Sequence, residues 1–466
     1  MAILIKGGKL VTGVDSYHAD VLVDGDRIAE VGRDLTAPDG AEVVDAAGLL
    51  VLPGVIDPHV HVDLELRGHR SSDFTATSRS AALGGVTTFI TYITPAPGQT
   101  LPEAADARKA HGVGRSHVDF GLHASLVRWD DREDDEIPQM IEAGIPSFKM
   151  YTTYADAGLM STDEQLYHAL LTVSQHGGLV EVHCENDWMI ESKVRKLVEQ
   201  GHTSPADHGG SRPGYAEGEA VAAVVRAAYD AGAAVYIVHT SSGEAVQTLA
   251  EAEDVGLEVY AEVCPHHLLL DEELLAGQDG QRYATCPPIR SEAHREALWE
   301  ALEEGLIHTV ATDHAEFAAE AKDEGAKDFR QLPMGVPGVG TLLPLMWEYG
   351  VRQGRISENE LVDRMCTQPA EIFGLCPAKG TLDAGTDADI VLFDPDLPVT
   401  IAPETTQGIA GYSPYDGWRV SGWPVSTMLR GRWVVNDREL VGSHELGSFV
   451  HRKNVCQRPG HRASDE

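Results

Sequence analysis

Between residues 50 and 315, short apolar, β-branched runs alternate with longer stretches whose apolar residues recur at helical spacing. The runs cover 50–56, 86–93, 118–126, 145–151, 179–183, 234–239, 257–264 and 307–312. The helical stretches between them include 75–83, 162–175, 217–231, 243–252 and 292–304. Glycines such as Gly84, Gly144, Gly178, Gly232, Gly256 and Gly305 end helices just ahead of the next run. Eight strand–helix units in series predict an α/β fold, a (β/α)8 TIM barrel.

The flanks follow another pattern. Segments 2–5, 10–11, 19–23, 27–31 and 42–45 alternate between Gly and Asp turns, as do 389–393, 418–420, 426–430 and 432–436. Strand-rich ends around a barrel predict a small β-sandwich built from both termini, 1–50 and 381–440, around a barrel spanning 51–380. Helices at about 342–352 and 358–372 join the two parts, and the polar segment 441–466 is expected as a C-terminal arm on the surface.

With 466 residues, 42% of them hydrophobic, the chain has ample material for a large core. It carries 36 basic against 73 acidic side chains, a net charge of −37, which repels phosphate backbones and argues against nucleic acid as a partner. No stretch approaches the roughly 20 apolar residues of a membrane span, and the start (MAILIKGGKL) lacks the apolar core of a leader. Cys184, Cys264, Cys286, Cys366, Cys376 and Cys456 are scattered without CxxC pairing. A reduced cytoplasmic protein is the expectation.

Candidate chemistry collects at the ends of five of the eight runs: His59 and His61, Lys149, His183, His239 and Asp313. In a barrel those ends form the face where active sites are built. Two histidines two apart on an extended segment point the same way, and imidazoles with a carboxylate suit zinc-like cations. A lysine ammonium cannot bind a cation. A lysine with a depressed pKa, however, captures carbon dioxide as a carbamate, an anion with two oxygens able to bridge two metals. The set therefore predicts a binuclear hydrolytic centre in which metal acidifies water, with Asp313 as ligand and proton carrier. Tyr154, on the loop after the fourth run, is a candidate oxyanion donor. His266, His267 and His314 are read as supporting or structural residues rather than ligands, and Asp63 and Glu65 as hydrogen-bonding supports near the site.

Taken together, PGVIDPHVHVD, AALGGVTTFI, SFKMYTTY, VHCEN, SRPGYAEGEA, VHTSS, EVCPHHLLLD, CPPIR, TDH, GTLDAGTDADIVLFDPD and YSPYDGW resemble the amidohydrolase superfamily. Within it they are similar to the cyclic amidohydrolases: hydantoinase, dihydropyrimidinase, allantoinase and dihydroorotase. The resemblance implies two divalent ions, zinc by preference, bridged by Lys149 as N6-carboxylysine. His59, His61 and Asp313 would hold one ion, and His183 and His239 the other. It also implies a small cyclic amide as substrate and a homodimer or homotetramer.

Dihydroorotase-like members carry an arginine two residues after HxH, to hold a substrate carboxylate; Asp63 stands there instead and matches hydantoinase-like sequences, as does Tyr154. Cys286 falls near a substrate-contacting serine of that branch, and Met334 replaces the asparagine of its PNG motif, so Asp63, Cys286 and Met334 are the candidate substrate contacts. A methionine offers no amide hydrogen bond, which suggests a substrate bulkier or less polar than dihydrouracil. PGVGTLLPL leans toward allantoinase and dihydroorotase. Some relatives of dihydropyrimidinase are non-catalytic scaffolds that have lost ligands. Here all six ligand positions are filled.

Overall fold

The computed structural model describes residues 2–129 and 132–453. Eight parallel strands run in sequence order: Val55–Val60, Val86–Ile93, Asp119–Ser125, Ser147–Tyr151, Leu179–His183, Val235–Ile237, Val259–Val263 and Thr309–Val310. The last meets the first through a parallel bridge between Val60 and His314 and a 2.7 Å hydrogen bond from His61 N to His314 O. A (β/α)8 barrel results. Buried on both faces, its strands read as nearly continuous apolar runs, which is why they were visible in the sequence.

The expected first strand, 50–56, is two strands of different sheets. Leu50–Pro53 pairs with Ile3–Val11 and with Ile390–Thr400, and only from Val55 does the chain enter the barrel. Gly54 makes the crossing. A Cβ there would lie 2.0 Å from Thr87 Oγ1, so no other residue fits without displacing the second barrel strand. All eleven residues from Leu50 to Val60 are buried, so hydropathy carries no mark of the change of sheet.

Both chain ends build one nine-stranded, mostly antiparallel sheet with its own core, including Ile5, Leu10, Val21, Ile28, Ile390, Leu392 and Met428. Segments 2–5 and 10–11 are a single strand, Ile3–Val11, whose pairing slips between Ile5 and Gly8. Likewise 418–420 and 426–430 belong to one strand, Arg419–Leu429. The helical links at 342–352 and 358–372 each contain a wider π turn, at Met346–Val351 and Asp363–Thr367.

The C-terminal segment does more than lie on the surface. Gly447 N donates to Ser116 O and Val450 N to Phe120 O, both at 2.8 Å, which threads it past the start of the third barrel strand. Arg452 then turns inward, 1% exposed, and donates to Leu122 O, to Ser147 Oγ (2.7 Å) and to Phe373 O (3.4 Å). It stoppers the barrel at the end opposite His183 and Asp313. Cys456 and the rest of the expected arm lie outside the described residues.

Candidate active site

His59 is the penultimate residue of the first barrel strand and His61 follows that strand; Lys149 sits on the fourth, and His183 is the last residue of the fifth. His239 and Asp313 lie just past the sixth and eighth. The barrel brings all six to one mouth, around a cavity of about 880 Å3. Four of the non-glycine residues lining this cavity hold positive φ: Arg67 at 53°, Tyr154 at 69°, His239 at 38° and Asp313 at 48°. Such backbone costs on the order of 1–3 kcal/mol per residue and persists only where surrounding contacts enforce it.

His59, His61 and Asp313 each offer a donor atom, all within 4.8 Å of one another. Asp313 Oδ1 stands 3.1 Å from His59 Nε2 and 3.0 Å from His61 Nε2. The His183 and His239 ring centres are 4.5 Å apart, and His239 is 5.3 Å from His59, which joins the two groups. Burial would push the Asp313 carboxyl up, but the charges and hydrogen bonds of the two imidazoles hold it well below the usual range. Burial also works against charge on His59, yet Glu262 and Asp313, one at each ring nitrogen, push its pKa up to about 9. A cation at Nε2 would take the place of that proton. His61, His183 and His239 are held below the ordinary imidazole value, chiefly by burial, and are neutral donors.

Lys149 is 1% exposed, its Nζ has no hydrogen-bond partner, and burial lowers its pKa. The donor set fits a metal pair on this observation. A buried amine without an acceptor costs free energy, and a carbamate shared by two cations would resolve it. The Tyr154 ring lies 5.0 Å from that of His183, and burial raises its phenol well above the ordinary value, so it stays a donor. Cys286 and Met334 line the cavity. Asp63 does not: its carboxylate turns to His111 (3.2 Å) and Arg108 (3.4 Å), which corrects its expected place among the substrate contacts. At φ 51° its backbone bends the chain away, and it serves as the support that was the other reading of it.

Several residues that hold this site were not singled out from the sequence. Glu262 accepts from His59 Nδ1 (2.6 Å), His239 N (2.9 Å) and Tyr236 Oη (2.8 Å), fixing tautomer and backbone together. Glu185 Oε2 meets His183 Nε2 at 2.8 Å, leaving Nδ1 toward the cavity. Arg212 pairs with that same oxygen. Below Lys149, Glu181 takes the Tyr92 hydroxyl (3.2 Å) and pairs with His123. A lone carboxylate inside an apolar strand, as in LVEVH and VYAEV, is the signal that would have found two of them.

Comparison with known proteins agrees with this architecture. The amidohydrolase family model matches residues 50–434. The chain belongs to the amidohydrolase family. It is 38% identical over 457 residues to a D-hydantoinase of Geobacillus stearothermophilus, covering 97% of each chain. A D-hydantoinase of Streptomyces coelicolor is 35% identical over 462 residues, covering 97% of this chain and 98% of that one. The crystal structure of a dihydropyrimidinase from Brevibacillus agri superposes with a TM-score of 0.96 at 37% identity, over 98% of this chain and 100% of that one. These full-length relatives put the chain in the cyclic amidohydrolase group of the family. No helix among the described residues is long and apolar enough to cross a membrane.

Proposed function

We propose that this chain is a metal-dependent hydrolase that opens the ring of a hydantoin- or dihydropyrimidine-like amide or imide. One observation carries the reading: the buried, unpartnered amine of Lys149, whose charge bears on His61, His183 and His239. As a carbamate it would join two divalent ions, zinc by preference, with His59, His61 and Asp313 on one and His183 and His239 on the other. Bound there, the ions supply Lewis-acid polarisation of the ring carbonyl and acidification of water. Asp313, kept ionised, accepts the proton of the attacking water and returns it to the departing ring nitrogen. Tyr154, kept protonated, donates to the carbonyl oxygen as negative charge develops on it. Glu262 and Glu185 hold the imidazoles in the required orientation.

The cavity walls favour an apolar ring substituent. Leu64, Leu66, Leu159, Phe329, Leu332 and Met334 line it, and Met334 supplies no amide to grip a small polar ring. Asp63 in place of an arginine speaks against a substrate carboxylate. The test is a rate panel of dihydrouracil, 5-alkyl and 5-aryl hydantoins, allantoin and dihydroorotate, on protein as purified, chelated and metal-reconstituted. Preference for substituted hydantoins that disappears on chelation and returns with metal supports the reading. Preference for dihydroorotate, or full metal content with no hydrolysis of any ring, sinks it.

A further inference from the structure

Just past the seventh barrel strand lies a cluster that the hydrolytic centre does not use. Cys264 caps a single helical turn, Pro265–Leu269, that carries His266 and His267. The three side chains offer one thiol and two imidazole donor atoms, all within 4.8 Å of one another. Cys264 is fully buried and each histidine is 2% exposed.

We propose that Cys264, His266 and His267 form a separate metal site, taking one zinc-class cation through one thiolate and two imidazoles. The ring nitrogens are the argument. His267 Nε2 lies 3.1 Å from Pro287 O, an oxygen that only accepts, so Nε2 carries the proton and Nδ1 is a bare lone pair. That Nδ1 has no hydrogen-bond partner, and neither does His266 Nε2. Buried polar atoms in folded proteins are nearly always satisfied, and leaving one without a partner costs its desolvation. Two rings with centres 4.2 Å apart, each carrying an orphan nitrogen, stand in a cluster that also offers one sulfur, a combination of donors that suits a borderline-soft cation.

Burial holds His266 down to about 4 and His267 well below the ordinary value, so both rings are neutral ligands at neutral pH. Burial pushes the Cys264 thiol up, and a bound cation supplies the positive charge that permits the thiolate. Binding then forms a sulfur–metal bond and releases one proton to solvent. Hard, oxygen-seeking ions such as calcium and magnesium are excluded by the donor types. The site would pin the exit of the strand whose Glu262 holds His59 and His239.

The test uses the whole protein loaded with cobalt(II). A sulfur-to-cobalt charge-transfer band in the near ultraviolet is expected, because imidazole, carboxylate and carbamate ligands cannot produce one. The band should vanish in Cys264→Ser, and metal content in both Cys264→Ser and His267→Gln should fall by one equivalent relative to the parent. A fully cobalt-loaded parent without the band, or a band that survives Cys264→Ser, overturns the proposal. Should Cys264→Ser fail to fold, His267→Gln decides: metal content equal to the parent's overturns the site. The band reports sulfur ligation alone, so its absence leaves the hydrolase reading standing.

Discussion

The guanidinium of Arg212 lies 5.1 Å from the centre of the Tyr154 ring. It also pairs with Glu185 Oε2, the oxygen that meets His183 Nε2. A cation, a carboxylate and an imidazole are thus tied in series behind the candidate oxyanion donor. Arg212 is a positioning residue on this geometry, since it touches Tyr154 and Glu185 and acts through them. Replacing it with methionine should lower kcat roughly 10-fold or more, the loss of about 1–2 kcal/mol of stacking and pairing. Arg212→Lys should rescue poorly, because an ammonium neither stacks nor forks. Steady-state kinetics on a 5-substituted hydantoin check this, and full activity in Arg212→Lys would remove the stacking from the account.

Tyr154→Phe removes one donor without changing shape. Its kcat should drop on the order of 10²-fold with little change in KM, while metal content and melting temperature stay at the parent's values. A KM effect alone would make Tyr154 a packing residue of the cavity wall.

Lys149→Ala should abolish turnover and metal binding together, and short carboxylic acids should restore part of both by occupying the carbamate's place. Metal analysis alongside a rescue series with formate, acetate and propionate gives the answer. Undiminished turnover in the variant would strike the carbamate from the mechanism.

Acid should destabilise the fold in a window set by buried neutral histidines. His117, away from the active site, is held down from 6.5 to about 4, chiefly by burial. Between those values the unfolded chain binds the proton and the folded one does not, so stability present above about pH 6.5 is lost as pH falls toward 4. His208, held down to about 4, works in the same direction. Urea midpoints of the parent should therefore fall from pH 7 to pH 4, and His117→Asn should show a shallower slope. Equal slopes in the two proteins would count against the burial argument.

Arg452→Ala tests the stopper at the far end of the barrel. It deprives Leu122 O and Phe373 O of their charged donor, a loss of about 2–4 kcal/mol in stability. Specific activity of the folded fraction should hold. A denaturation midpoint equal to the parent's would mean that this end of the chain does not seal the barrel.

The strand count and the five strand ends with ligand-type residues were legible because parallel strands, buried on both faces, stand out from amphipathic helices. The break at Gly54 was not legible, since the chain stays buried on both sides of it. Asp63 misled for a related reason: its spacing from His61 suggested the cavity, but a left-handed backbone turned its carboxylate to Arg108 and His111. Glu262 and Arg212 hold atoms 203 and 27 positions away in sequence, and Glu185, only two residues from His183, meets its Nε2 through a ring orientation that spacing does not show.

Residue type and spacing alone specified a barrel, which of its ends carries the chemistry, and the six side chains that gather there. Those follow from local hydropathy and from the fact that every parallel strand presents its C-terminal end on one face. Ring tautomers, the inward turn of Arg452 and the lack of a hydrogen-bond partner at Lys149 Nζ came from packing. Each depends on which atoms distant segments bring within about 3–5 Å, a relation that hydropathy and spacing do not encode.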